Sequence, residues 1–461
     1  MSAPDTSRVT GSINARLDRL PITRRHRFAL VAVGIGMFFD LYEVFLAGTL
    51  AAVLGKDFGV TGTAQKLVLA SAFVGAFLGA VVLSRLADRL GRRRAFFLTL
   101  GIYSFFSVLG GFSVNVEMLI VCRFLAGVGI GAELPLSDAY LSDLMPANVR
   151  GRMIAWAYTL GFCGVPAAGL LARVVTPHEF LGLAGWRWMF ILGGLGAFLC
   201  WLLRRALPES PRWLASVGRA EEADAVVRRF EDAALRENPG RPLPEPEVEP
   251  SPAGKEPFGA LFRPPWRRRT VMLWIFQSVQ TFGYYGFGTL VPLVLTAKGY
   301  DIVSTLTFTA VTFIGYPVGS ALSIPIMERV ERKFLIIAAA LGMLVLGLAF
   351  GYATSPTLII VFGFLYTVVS NLFSNGFHVY SGELFPTTLR ATGAGIAYSL
   401  SRLATAVMPF VLIPLLNGFG PTAVFVAIGI AMLIVVVDVA WLGPRTTGRS
   451  LTSIAGPGAP S

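Results

Sequence analysis

Charge is scarce in this sequence: Asp, Glu, Lys and Arg make up 14% of its 461 residues, against about 25% in an ordinary soluble chain. That shortage excludes a protein whose whole surface faces water. Cysteine is sparse as well. Cys122, Cys163 and Cys200 all fall inside apolar stretches and offer neither a disulfide framework nor metal-ligand spacing. Lysine is nearly absent, 5 residues against 34 arginines, a bias compatible with a GC-rich bacterial source. No nucleophile triad, phosphate-binding loop or metal cluster is legible, so nothing points to an enzyme. The glycine-rich run at Gly127, Gly129 and Gly131 sits inside an apolar stretch rather than between a strand and a helix. Met1–Arg27 is polar and basic and lacks a short apolar core before a cleavage site, so no cleavable signal is expected.

What the sequence has in quantity is apolar length. It is 54% hydrophobic with a mean hydropathy of +0.66. Runs of roughly 18 to 25 apolar residues recur from Phe28 to Trp441, long enough to cross a hydrocarbon core as helices. Its 50 glycines suit close helix contact in lipid. Twelve spans are expected, near 28–51, 66–84, 95–114, 117–139, 153–174 and 187–203, then 270–295, 303–326, 334–352, 357–378, 392–416 and 420–442. The fold class is therefore an all-α membrane protein, twelve transmembrane helices in two pseudo-symmetric six-helix bundles at 28–203 and 269–443.

The net charge of +12 is no nucleic-acid signature, because the arginines cluster at the ends of apolar runs. Arg24, Arg25 and Arg27 precede the first span, Arg85, Arg89 and Arg92–Arg94 follow the second, and Arg150, Arg204, Arg267–Arg269, Arg332 and Arg390 continue the same parity. By the positive-inside rule the N-terminal segment 1–27, the central segment 204–268 and the tail 444–461 are cytoplasmic. Ile13, Leu17 and Leu20 can form one face of a short interfacial helix, with solvated disorder as the other reading. Glu221–Arg229 fits a surface helix, and the Pro- and Glu-rich stretch Pro239–Pro257 fits an extended linker that lets the halves move.

Two loop segments repeat. Asp143-Leu-Met-Pro-Ala-Asn-Val-Arg150 and Glu383-Leu-Phe-Pro-Thr-Thr-Leu-Arg390 share an acid, Leu, Pro and Arg at a shift of 240 positions. The same shift superposes Asp88-Arg89 on Glu328-Arg329 and Arg92 on Arg332. A duplicated membrane protein is the simplest account, and it points to a transporter. The repeated charges, Asp88, Arg89, Arg92, Asp143, Arg150, Glu328, Arg329, Glu383 and Arg390, are expected to form a cytoplasmic gate; a solvated salt-bridge cluster is the plainer alternative.

Ionisable groups facing lipid are costly, so those within spans are the candidate site. Asp40 lies roughly 18 Å into the first span at 1.5 Å per residue, and Glu43 shares its face. Two carboxylates in one poorly hydrated site resist simultaneous ionisation, an arrangement that can load and unload a proton. Helix 4 adds Arg123, Glu133 and Asp138; Arg123 either faces a solute or clamps a helix 1 acid. Arg402, near the middle of the eleventh span, offers a permanent charge and a planar match to a carboxylate. An ion pair with Asp40, Glu43 or Glu133 is the alternative, and it needs no solute contact. Gln277, Gln280 and Tyr284 share a stripe of the seventh span, Asn371 and Asn375 share a face of the tenth above His378, and Tyr42 belongs to an aromatic set beside Asp40.

Ser84-Arg-Leu-Ala-Asp-Arg-Leu-Gly-Arg-Arg-Arg94, Arg123-Phe-Leu-Ala-Gly-Val-Gly-Ile-Gly-Ala-Glu-Leu-Pro135 and Pro208-Glu-Ser-Pro-Arg-Trp-Leu214 resemble motifs of the major facilitator superfamily. The resemblance covers nearly all of Phe28–Leu442 and fits the branch of sugar porters, organic-ion carriers and aromatic-acid:proton symporters. Asp40-Leu-Tyr-Glu43 is similar to the Asp-Gly-Tyr-Asp pattern of the aromatic-acid group, with Leu41 in place of Gly and Glu43 in place of the second Asp. Ser84 and Ile324 stand where the loop motif has its initial Gly, and Glu331 stands where the second copy has its internal Gly. The resemblance implies that Asp40 and Glu43 take part in transport and that Arg402 recognises an acidic solute.

The expected protein is a proton-coupled symporter of a small organic or aromatic carboxylate in a bacterial inner membrane. Its partners are that solute, protons and the lipid bilayer, with no nucleic acid, as a monomer. No cofactor or metal is expected; the proton gradient supplies the driving force. An organic-cation carrier or exporter, a sugar:proton symporter and a transport-like sensor or scaffold remain as alternatives.

Overall fold

A backbone inside lipid has no water to bond, so it must satisfy its own N–H and C=O groups, and helices do so locally. The computed structural model describes residues 6–59, 62–240, 242–246, 258–327, 329–385 and 387–446. Among them the architecture is all-α apart from one two-residue hairpin pairing Glu179–Phe180 with Leu183–Ala184. After a short N-terminal helix, α1 (Thr6–Asp18), come α2 (Arg24–Asp57), α3 (Gly62–Leu90), α4 (Arg92–Gly111), α5 (Val116–Leu144), α6 (Arg150–Phe162), α7 (Gly164–Val175) and α8 (Gly185–Leu203). The central segment holds α9 (Pro211–Ser216) and α10 (Ala220–Glu237). The second half of the chain holds α11 (Trp266–Ala297), α12 (Ile302–Phe313), α13 (Gly315–Met327), α14 (Arg332–Tyr352), α15 (Pro356–Glu383), α16 (Thr387–Phe419) and α17 (Pro421–Leu442).

Among the described residues eleven helical stretches are long and apolar enough to cross a membrane, where the sequence reading expects twelve spans. The difference is α11. It runs 32 residues, about 48 Å at the helical rise, but Gln277, Ser278, Gln280, Thr281, Tyr284 and Tyr285 dilute its apolar character. Two stretches are each built from two helices. Arg150–Val175 breaks at Cys163 and Ile302–Met327 breaks at Ile314. Proline three residues on explains both breaks: Pro166 and Pro317 supply no N–H, and their rings crowd the carbonyls of Phe162 and Phe313, four residues before them.

Close backbone approach holds the bundle together. A Cβ on Gly127 would collide with the Ala72 carbonyl oxygen, and one on Gly131 with that of Ala76, so glycine lets α5 lie against α3. The two halves of the chain meet through α2 against α11, α3 against α16, α6 against α13 and α7 against α12. On the arginine-poor side they are pressed together: a Cβ on Gly48 would sit 2.6 Å from Thr289 Cα, and one on Gly169 2.8 Å from Ala310 Cα.

On the arginine-rich side α1 is neither interfacial nor solvated. Ile13, Leu17 and Leu20 are buried in one apolar cluster with Val227, Phe230 and Ala234 of α10, which supplies the partner face that the sequence pattern could not identify. Arg16 pairs with Asp224 and Glu231, each at 2.6 Å. Asp18 accepts from Arg150 at 3.2 Å and Arg212 at 2.8 Å. The linker helix is also longer than its charge pattern suggests, because Ala223, Val226, Val227, Phe230 and Ala234 give it an apolar stripe over eighteen residues.

Candidate functional site

Three acids and two arginines lie within the first-half helices with almost no exposure. Glu43 is paired with Arg123 at 3.4 Å and accepts from Ser107 Oγ at 3.0 Å. Arg123 also donates from Nε to the Val68 carbonyl at 3.2 Å, which ties α2, α3, α4 and α5 at one point. Glu133 accepts from Thr99 Oγ1 at 2.9 Å and forms an ion pair with Arg204. Arg204 belongs to the loop side by sequence, yet its guanidinium turns back into the helices, over the Phe96 ring at 4.1 Å and against Gly36, where a Cβ would collide with it. Asp40 differs from both glutamates. It is 1% exposed, and neither carboxyl oxygen has a hydrogen-bond partner among the described residues.

Among the described residues Arg402 of α16 meets no carboxylate. Glu43 and Glu133 are taken by Arg123 and Arg204, so the ion pair with a helix 1 or helix 4 acid left open by the sequence is not formed here. Its Nη1 donates to the Tyr285 hydroxyl at 2.7 Å, its Nη2 donates to the Tyr398 hydroxyl, and its Nε has no partner. The guanidinium carbon lies 5.1 Å from the centre of the Tyr285 ring and 4.6 Å from that of Tyr398. A buried guanidinium is thus held by two phenols, with its charge uncompensated by any acid in contact.

Two cavities meet at this arginine. One is lined by Asp40, Glu43, Phe73 and Leu134. The other is lined by rings, among them Tyr158, Phe162, Tyr284, Phe377 and Tyr398, and by Gln277, Gln280 and His378. Leu41, Leu134, Tyr285 and Arg402 line both. The arrangement offers a fixed cation, an acid with open oxygens, an amide pair and flat apolar walls within one enclosed region. Gln280 donates to Gln277 at 3.2 Å and keeps its own Oε1 unpartnered.

The other residues singled out by sequence lie elsewhere. Tyr42 donates to the Met189 carbonyl at 2.9 Å and packs toward α8. Asn371 donates to the Tyr316 carbonyl and Asn375 to Ser323 Oγ at 2.6 Å, so both bind α15 to α13 rather than line a cavity. Asn371 still accepts from the cavity residue Tyr284 at 3.4 Å. Asp138 accepts from the Tyr158 hydroxyl at 2.9 Å, one step behind the ring-lined wall.

The repeated loop charges fall into matched pairs. Arg92 lies 3.8 Å from Asp143, and Arg332 lies 3.5 Å from Glu383 at the equivalent place in the second copy. Arg150 turns instead to Asp18. Arg89 and Arg329 are exposed. Glu328 and the side chains of Asp88 and Arg390 lie outside the described residues. The two copies differ in support. In the first, Gly91 takes φ +97 with Glu209 and Trp213 against it, and Glu209 accepts from the Arg93 N–H at 3.1 Å. In the second, Glu331 occupies the equivalent position with φ −58 and accepts from the Thr446 N–H at 3.0 Å.

Tyr285, Tyr398 and Arg204 are the site neighbours that sequence reading did not single out for these positions. The adjacent Tyr284 and Tyr285 were visible, but not which of them reaches Arg402. Tyr398 stands four residues before Arg402 on the same helix, a spacing that places them on one face.

Comparison with known proteins follows the same lines. The profile of the sugar (and other) transporter family matches residues 28–456. The putative metabolite transport protein YyaJ of Bacillus subtilis is 33% identical over 446 residues, covering 95% of this chain and 96% of that protein. The niacin transporter NiaP of Acinetobacter baylyi is 31% identical over 446 residues, covering 95% and 99%. Among solved structures, the partially occluded inward-open xylose transporter XylE of Escherichia coli superposes with a TM-score of 0.76 at 20% identity, over 92% of this chain and 99% of that one. The chain is a multi-pass membrane protein resembling bacterial inner-membrane carriers, and it belongs to the sugar (and other) transporter family.

Proposed function

We propose that the protein carries a small aromatic carboxylate together with a proton by alternating access. In this reading α11 is the twelfth span, and two six-helix bundles at 28–203 and 269–443 rock about the central site, joined by 204–268. The observation that carries it is Arg402: a buried cation with an open Nε, no acid in contact, and a ring-lined cavity beside it. A planar carboxylate would supply the missing charge, and the tyrosine and phenylalanine walls would cover its ring. The coupling proton is assigned to the Asp40 and Glu43 pair. Glu43 is engaged by Arg123 and Ser107, which leaves Asp40 as the carboxyl with room for a proton. The 31% identity to a niacin transporter agrees with an acidic aromatic cargo. Arg92–Asp143 and Arg332–Glu383 serve as matched cytoplasmic latches.

A sugar:proton symporter is the second reading, and the family and structural relatives weigh toward it. The matched family is described by sugar transport, the solved relatives are xylose carriers, and an arabinose-proton symporter of Bacillus subtilis is 24% identical over 455 residues. Gln277 and Gln280 supply the amide chemistry that hydroxyl groups require. Uptake of labelled nicotinate, benzoate, xylose and a matched aromatic amine into proteoliposomes, with and without an inward proton gradient, separates these readings. Gradient-driven accumulation of an acid supports the first. Accumulation of xylose alone supports the second, and selective amine uptake removes both.

A further inference from the structure

His378 of α15 stands apart from the polar side chains beside it in the ring-walled cavity. There Tyr158 donates to Asp138 at 2.9 Å, Tyr284 to Asn371 at 3.4 Å and Gln280 to Gln277 at 3.2 Å, and Arg402 donates to two phenols. His378 makes no hydrogen bond to any of the described residues; its contacts are with rings. Phe377 stacks on the imidazole at 4.4 Å with 26° between the planes. Tyr158, from the first half of the chain, lies 5.6 Å away at 34°. A neutral imidazole carries one N–H and one bare nitrogen, so a donor is held among rings with no acceptor to receive it. His378 is also near enough to Arg402 for the guanidinium charge to act on the imidazole. Arg402 stands at the junction of the two cavities, whereas His378 lines only the ring-walled one.

We infer that His378 is the residue that selects the solute's ring: it gives its N–H to a nitrogen in that ring, so the preferred cargo is a pyridine-type carboxylate rather than a benzoate-type one. The assignment rests on the reading given under Proposed function and adds to it the polar atom the cargo must carry. A flat acid whose carboxylate takes the open Nε of Arg402 has its ring extending from the junction into the ring-walled cavity, where His378 lies. A benzoate ring presents only C–H edges to the imidazole and leaves the N–H without an acceptor, which is costly in a buried site. A ring nitrogen removes that deficit. The rings of Phe377 and Tyr158 restrain the imidazole plane, so the N–H has a set direction that the ring nitrogen must match.

His378→Phe keeps a ring beside Phe377 and Tyr158 and removes the N–H. Half-saturation concentrations for labelled nicotinate, isonicotinate and benzoate are measured by gradient-driven uptake into proteoliposomes. The wild-type protein is expected to take one of the two pyridine acids at a several-fold lower concentration than benzoate. In His378→Phe the ratio of benzoate to pyridine-acid half-saturation is expected to fall about tenfold, the effect of one hydrogen bond. The order then reverses, because a ring nitrogen stripped of water faces hydrocarbon. An unchanged ratio overturns the inference, even where both kinds of acid are taken up more slowly, since His378 is then only a wall of the cavity. If His378→Phe does not fold, wild-type half-saturation that is equal for all three acids overturns the inference by itself. A protein that carries benzoate but neither pyridine acid overturns it as well and leaves the reading under Proposed function standing. One that carries none of the three acids removes that reading and the inference together.

Discussion

Glu43 and Arg123 face each other at 3.4 Å with both side chains only 2% exposed. Neither charge has water to fall back on, so each depends on the other. Replacing one member of such a pair strands the second and costs about 3–5 kcal/mol. Glu43→Gln and Arg123→Gln are each expected to lower the thermal unfolding temperature of the purified protein markedly, and the double variant is expected to recover part of the loss. Losses that simply add would show that the pair is not the unit of stability.

The Arg92–Asp143 and Arg332–Glu383 pairs, proposed as latches, are a different case. Arg92 and Asp143 keep 17% and 22% of their side-chain surface, and Arg332 and Glu383 keep 16% and 25%. Partly wetted pairs of this kind contribute about 0–1 kcal/mol, so their reversal should barely change stability. Asp143→Arg is expected to slow transport several-fold with little shift in unfolding temperature, and Arg92→Asp added to it is expected to restore the rate. A rate unaffected by the single reversal would argue against a latch.

The N-terminal helix gives a pH test. Asp224 is held below the usual carboxylate range, chiefly by the hydrogen bond from Arg16. Burial pushes Glu231 up, but hydrogen bonds from Arg16 and Arg19 outweigh it, and its carboxyl also ends below its ordinary value. Because the folded values are depressed, the pairs contribute fully above the unfolded values of about 3.9 and 4.3, and that contribution is lost as pH falls through the folded ones. Amide exchange of Ile13–Leu17, corrected for intrinsic rates, should show constant protection from pH 8 to 5 and loss below about pH 4. Loss between pH 7 and 5 would mean that other groups hold the helix.

Much of this molecule was legible because membrane helices announce themselves by length. Even the breaks at Cys163 and Ile314 trace to Pro166 and Pro317, four residues from the last helical residue of each first segment. The helix over the expected span 270–295 that falls short of the apolar length of the other eleven is α11, where Gln277, Gln280 and Tyr285 line a cavity. The candidate charges were equally visible, since acids and arginines in spans are rare. Their partners were not. One-dimensional spacing could not tell that Arg204 would turn inward past Gly36 to reach Glu133, leaving Arg402 to two phenols. Nor could it separate Asn371 and Asn375, spent on α13, from Gln277 and Gln280, near neighbours of similar polarity that line the site.

Proton movement on solute addition tests the central claim most directly. Weakly buffered proteoliposomes carrying the wild-type protein, given nicotinate outside and no imposed gradient, should take up protons with the anion and make the medium transiently alkaline. Arg402→Ala and Asp40→Asn should abolish that signal. Alkalinisation on addition of xylose but not of nicotinate or benzoate, undiminished in Arg402→Ala, would contradict the account.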